Sequence, residues 1–280
     1  MITIPPIPPA RDEDVVGEAE LLPRYEDIAQ DGRFLLAAMT PGLGAAVWRA
    51  LLRKIPATKT FQEQGILPIL SRMVLVGEER SVSVHSAVTY RGRFRFARQR
   101  GGDRLFVNMW VDAFAPLGST FGPAPSKDAE APLVGRIFAE HVITRPFASA
   151  GERKVTRLDA PGVSPVPEDE YDFEDAEAFA AQAAHAPSVD VRFGMMHTDS
   201  NQHVNSLVYP RIAEEHAIAS LPPEARAKKL ARAVDMRWRK PFFAGETARL
   251  SMSERSGDTV VVFRPEGGER PSCAIAIRLG

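Results

Sequence analysis

The order of periodic segments constrains this chain more than any single motif does. A helical stretch with Leu43, Val47, Leu51 and Ile55 at spacings of four is expected over roughly residues 42 to 55, with Pro56 as its stop. Four long strand patterns follow: "ILPILSRMVLVGEE", "SVSVHSAVTYRGRFRFARQ", "RLFVNMWVDAFAP" and "LVGRIFAEHVITRPF". In the second, Val82, Val84, Ser86, Val88 and Tyr90 alternate with polar or small residues, and "RGGDR" turns the chain into the third. The order then recurs: a strand in "VDVRFGMMH", a helix in "LVYPRIAEEHAIASL", and strands in "ARAVDMRWRKPF", "ETARLSMSER", "TVVVFRPE" and "SCAIAIRL". The two halves share this order and little obvious sequence. An α+β chain is expected; the order is compatible with a long helix wrapped by an antiparallel β-sheet in each half, which period alone does not separate from other α+β folds.

The 280 residues suffice for two domains, and a content of 44% hydrophobic and 25% charged residues supplies real cores. We divide the chain into an N-terminal arm (1–30), a first unit (31–150), a Pro-, acid- and Ala-rich linker (151–187) and a second unit (188–280). The linker carries one short helix around Glu174 to Ala184. The net charge of -1 offers no general attraction to nucleic acid or an anionic membrane, and neither is an expected partner. Cys273 is the single cysteine, which excludes an intrachain disulfide and a Cys-based metal cluster. No apolar run reaches the roughly 20 residues of a spanning helix, and Pro interrupts "MITIPPIPPARDEDVV" where a signal peptide needs an apolar stretch; a cytoplasmic location is the expectation.

Chemistry concentrates in "MMHTDSNQHVNSLVYPRIAEE", residues 195–215. In an extended segment side chains two apart share a face, so Asp199, Asn201 and His203 would project together, with Asn205 extending the row. Asp supplies an acceptor or base, Asn a donor and an acceptor, and imidazole a group titrating near neutrality. Together they suit the activation of a water. Asn205 or Ser206 is a plausible N-cap for the helix that follows, whose free amides would favour a developing oxyanion. Pro210 predicts a distorted first turn or a start later than Asn205.

"DSNQHVNSLVY" resembles the D-x-N-x-H-V-N-N-x-x-Y signature of the hotdog-fold acyl-acyl carrier protein thioesterases, matching at Asp199, Asn201, Gln202, His203, Val204, Asn205 and Tyr209; Glu215 falls where that family has a helix Glu. The resemblance implies a double hotdog, hydrolysis of an acyl-CoA or acyl carrier protein thioester, and catalysis from the second unit. It implies Asp199, Asn201 and His203 as the catalytic set and Asn205 and Tyr209 as substrate-binding residues, Asn205 also supporting the turn. It implies no metal and no cofactor, and a monomer or homodimer. One departure stands out: the family's further acid or Cys, in a context like Y-R-R-E-C-G-R-D, meets "MRWRKPFFAGETARL" here, with Phe242 and Phe243 near the expected place and Glu246 matching a later structural acid.

Two other functions compete. The same fold could run as a dehydratase, hydratase or acyltransferase; hotdog hydratases carry a D-x-N-x-x-H pattern one residue longer than the one here, which disfavours a hydratase. The missing acid favours a non-catalytic acyl-binding protein. His197, His85, His141 and Cys273 are expected to be structural, and the Arg-rich strands solvated faces, with a carrier-docking patch as the minority expectation. The first half contains no D-x-N-x-H counterpart and is expected to shape an acyl tunnel with residues such as Met73, Val107, Met109 and Trp110.

Overall fold

A computed structural model describes residues 2–11, 14–126, 128–181, 188–227 and 229–280. The chain forms two units: Ile4–Leu70 with Leu75–Phe173, and Glu174–Gly280 with Met1–Thr3 and Ser71–Val74. The division falls inside the segment read as a linker.

The first unit contains β1 (Gly17–Leu21), both ends of β2 (Leu67–Gly77), β3 (Val88–Gln99), β4 (Leu105–Phe114), β5 (Leu133–Thr144) and β6 (Asp169–Tyr171). The strand order is β1-β3-β4-β5-β2, with β6 parallel to the end of β3. The β1–β3, β3–β4 and β4–β5 pairs are antiparallel. The arm is ordered by contact: β1 belongs to it, and Trp110 Nε1–H donates to the Pro5 carbonyl at 2.9 Å.

The expected helix starts earlier and is broken into segments: a 3₁₀ turn (Leu36–Met39), α1 (Thr40–Gly42) and a π-helical stretch (Leu43–Arg49). Glycines let this rod lie directly on the sheet. A Cβ on Gly42 would stand 2.0 Å from the Tyr90 ring, and one on Gly92 would stand 2.6 Å from Val47. Pro56 does not end a helix but opens α2 (Pro56–Glu63), because the first helical position needs no N–H and suits the fixed φ of proline.

Three further expectations change. The alternation over Val82–Ser86 is not strand: residues 84–86 form a turn in which the His85 N–H donates to Ser83 Oγ at 3.2 Å, and β3 begins only at Val88. Cross-strand pairing puts Val107, Met109 and Val111 on the helix-facing side with Gly92, whereas Trp110 lies on the opposite face against Phe138. Trp110 therefore cannot line one tunnel wall with Val107 and Met109. Finally, Arg95 is mostly buried beside Asp14 and Asp169, because the arm and β6 supply carboxylates to that face.

The second unit contains α3 (Ala176–Ala180), β7 (Ser188–Arg192), α4 (Val208–Ala219), α5 (Pro223–Arg226), β8 (Ala231–Trp238), β9 (Thr247–Arg255), β10 (Asp258–Pro265) and β11 (Cys273–Leu279). The linker helix is thus shorter than expected at its start, and positions 182–184 lie outside the described residues. The strands run antiparallel in the order β8-β11-β10-β9-β7. Tyr209, Ala213 and Ala217 form the buried stripe of α4, small enough below Tyr209 for close approach to the sheet. Arg237, read as solvated, is buried: it pairs with Glu174 at 3.0 Å and its guanidinium lies over the Phe179 ring at 4.0 Å. Arg72 grips Asp235 through two hydrogen bonds, at 3.0 and 2.7 Å. Cys273 is buried and burial pushes its thiol up, as expected of a packed residue. No helix among the described residues is long and apolar enough to cross a membrane.

His141 is a core residue. It pairs with Val107 on the helix-facing side, its ring meets Trp48 edge-on at 5.2 Å, and its Nδ1 has no hydrogen-bond partner among the described residues. Burial pushes its pKa down from 6.5 to about 3. The unfolded chain therefore binds a proton that the folded chain refuses between those values, and stability falls as the pH drops through that window. Urea unfolding from pH 7 to pH 4 is predicted to show wild type losing up to about 1.4 kcal/mol per pH unit more than His141→Leu. Equal slopes would contradict this assignment.

Candidate active site

The segment that carries the polar residues is a tight turn and not an extended row. Met195–His197 form a 3₁₀ turn, closed by the Gly194 N–H on His197 Nδ1 at 3.0 Å. Thr198 and Val204 then bridge, the Asp199 N–H donates to the His203 carbonyl at 3.1 Å, and the Gln202 N–H donates to the Asp199 carbonyl at 2.9 Å. Gln202 takes φ 65°, a left-handed conformation uncommon for a side chain of this type. The alternation expected of a strand is lost across 199–203, and the reason is local. Asp199 Oδ1 accepts the Asn201 N–H at 2.8 Å, the side-chain-to-backbone bond that lets Asp start a turn.

The other carboxylate oxygen, Oδ2, accepts Asn205 Nδ2–H at 3.2 Å. Asn205 continues the chain of contacts: its Oδ1 accepts the Leu207 N–H at 2.9 Å and its carbonyl accepts the Val208 N–H at 3.0 Å. Helix α4 begins at Val208, later than Asn205, which leaves Pro210 in the first turn, where its missing N–H costs nothing. The structure therefore joins Asp199, the Asn201 backbone and Asn205 in one hydrogen-bonded group.

Asn201 sits exposed at the tip of the turn. His203 is half-buried and bridges Phe243 through the backbone, and the two rings meet edge-on at 5.1 Å. Among the described residues no hydrogen bond or ion pair links the His203 ring to a carboxylate. Glu246 does not supply one, since its Oε2 accepts the Phe243 N–H at 3.0 Å and so holds the turn before β9. Phe243 as the neighbour of His203 was not legible in advance, because the bridge joins residues forty positions apart.

Tyr209 lies in the core. Its hydroxyl accepts the Phe242 N–H at 3.2 Å, its ring packs against Phe193, Phe242 and Phe263, and burial pushes its pKa up. Its side chain is buried among these rings. His197 and Glu215 do not join the group either: His197 caps its own turn, and Glu215 points to the exposed side of α4. Among the described residues, no group of three or more His, Cys, Asp or Glu is arranged to hold a metal ion.

No protein-family profile and no curated protein matches the chain. Solved structures do. An acyl-ACP thioesterase from Bacteroides thetaiotaomicron VPI-5482 aligns with a TM-score of 0.62 at 16% identity, covering 95% of this chain and 98% of its own. The 12:0-ACP thioesterase from Umbellularia californica aligns with a TM-score of 0.60 at 14% identity, covering 95% and 97%. The chain is a double hotdog. A MaoC-like dehydratase from Phytophthora capsici aligns less closely, with a TM-score of 0.50 at 9% identity over 95% of each chain.

In this double hotdog the Tyr209 hydroxyl is the acceptor that satisfies a buried amide. Tyr209→Phe leaves the Phe242 N–H unpaired and is predicted to cost about 1–3 kcal/mol in urea unfolding. An unchanged midpoint would show that the hydroxyl is dispensable.

Proposed function

We propose that the protein hydrolyses acyl thioesters, with an acyl-CoA or acyl carrier protein as substrate, and that Asp199, Asn201 and His203 form its catalytic set. The observation that supports this most is the geometry of Asp199, half-buried, with one hydrogen bond to each carboxylate oxygen, at the mouth of the turn that leads into α4. A carboxylate held in this way keeps lone pairs for a water and cannot swing away from it. The alignments with acyl-ACP thioesterases support the reaction class at the level of the fold.

In the reaction, Asp199 takes a proton from water as the oxygen attacks the thioester carbon. The carbonyl oxygen becomes an oxyanion facing the positive end of α4, and the Asn201 side chain, free at the turn tip, orients the acyl carbonyl or the water. Collapse of the tetrahedral species breaks the C–S bond. The thiolate leaves with the proton, delivered from Asp199 or through His203, and a free acid and a free thiol remain. His203, edge-on to Phe243 and with no carboxylate partner among the described residues, acts as a polar wall or proton relay and not as a member of an acid–histidine dyad.

That aromatic neighbour also favours a second reading, a protein that binds acyl thioesters without cleaving them. Thiol release from a panel of acyl-CoA and acyl-carrier substrates separates the two. Asp199→Asn is predicted to lower kcat by about 10²–10⁴-fold and His203→Ala by less. Release equally slow in wild type and both variants would leave the binding protein.

A further inference from the structure

The first unit contains a second copy of the turn, invisible in the sequence. Its Tyr25–Asp27 3₁₀ turn matches Met195–His197, and the Ile28–Phe34 bridge matches Thr198–Val204. The backbone hydrogen bonds correspond at one constant offset. The Ala29 N–H donates to the Arg33 carbonyl at 2.8 Å, as Asp199 does to His203; Gly32 donates to Ala29 at 2.9 Å, as Gln202 does to Asp199. The Leu35 N–H donates to the Asp27 carbonyl at 2.9 Å, as Asn205 does to His197, and Ala38 donates to Leu35 at 3.0 Å, as Val208 does to Asn205. Even the left-handed position is shared, Gly32 with φ 86° and Gln202 with φ 65°.

The side chains are not shared. Where the second unit has Asp199, Asn201, His203, Asn205 and Tyr209, the first has Ala29, Asp31, Arg33, Leu35 and Met39. Asp31 and Arg33 pair with each other, and Gly32 eases the left-handed residue, but nothing replaces the Asp199–Asn205 hydrogen bond. The first unit is thus an internal control, a chain that builds the same turn, entering a helix in the same way, without either partner of that bond. With glycine at its left-handed position, this backbone turn forms without an Asp or Asn at the places of Asp199 and Asn205.

We infer that Asn205 is a positioning residue: it neither supports the turn nor touches substrate, but fixes Asp199 Oδ2 relative to the start of α4 through its two side-chain hydrogen bonds. The inference deepens the thioesterase reading and rests on it. Asn205 is suited to this because its amide offers a donor to the carboxylate and an acceptor to the Leu207 N–H at the same time. Leucine, its counterpart in the first unit, offers neither. A carboxylate released from this tether samples other rotamers, and misplacement of a base by about 1 Å is enough to cost on the order of 10²-fold in rate.

The test uses the full chain with Asn205→Leu and Asn205→Ala, beside Asp199→Ala and the double variant Asp199→Ala/Asn205→Leu. The predicted result is that both Asn205 variants keep the wild-type melting temperature within a few degrees and lose about 10- to 100-fold in kcat. KM, and the affinity for a non-hydrolysable acyl-CoA thioether, stay within about 2-fold, and the double variant is no slower than Asp199→Ala alone. Three results would overturn the inference: a weakened thioether affinity with kcat intact, which makes Asn205 a substrate contact; loss of folding in both single variants, which makes it a turn support; or wild-type kcat in Asn205→Ala. A wild-type protein that neither cleaves thioesters nor binds the thioether refutes the thioesterase reading instead. In that case the Asn205 side-chain amide signals still decide the inference: exchange protection lost in Asp199→Ala supports the tether, and protection unchanged overturns it.

Discussion

The site depends on one buried contact, the Phe242 N–H donating to the Tyr209 hydroxyl. Tyr209 is the bulky residue at the start of α4, and its ring stands among Phe193, Phe242 and Phe263, so the helix cannot rotate or slide without opening the core. The same hydrogen bond holds the chain after β8 against the helix start. The Phe242 carbonyl then accepts the Val204 N–H at 2.8 Å, and Phe243 bridges His203. Packing around one tyrosine thereby sets the place of the turn 199–203 from both sides. The proposed chemistry is placed on an element whose position is decided by the core.

Within that frame the polar residues divide by environment. Asp199 has partners for both oxygens and is half-buried, Asn201 is exposed at the tip, and His203 faces an aromatic edge. A carboxylate so placed suits proton transfer without a histidine behind it, whereas the imidazole against Phe243 meets no carboxylate among the described residues.

Much of this was legible in the sequence, and the parts that were not share a cause. The element order, α4 and the strands β8 to β11 follow from hydrophobic period, because each buries one continuous stripe. The start of α4 at Val208 is one of the two outcomes that Pro210 left open. What failed was decided by contacts distant in sequence. Arg95 and Arg237 looked solvated because their carboxylates come from the arm, β6 and Glu174. Trp110 looked like a tunnel residue until the arm covered its face. The period-2 reading of 199–205 failed for a local reason, an aspartate that bonds its own backbone two residues on, and that same bond gives the carboxylate its orientation. The duplicated turn was hidden because its identity lies in backbone hydrogen bonds, and every side chain with chemistry differs between the copies.

The central claim is that the Asp199 turn is where a thioester is attacked. A crystal structure of the protein with a non-hydrolysable acyl-CoA thioether tests it most directly. The account predicts the atom standing for the thioester carbon within reach of a water held by Asp199, with the Asn201 side chain and the start of α4 around the position of the carbonyl oxygen. An analogue bound with that carbon far from Asp199, and with no room for a water between them, would contradict it.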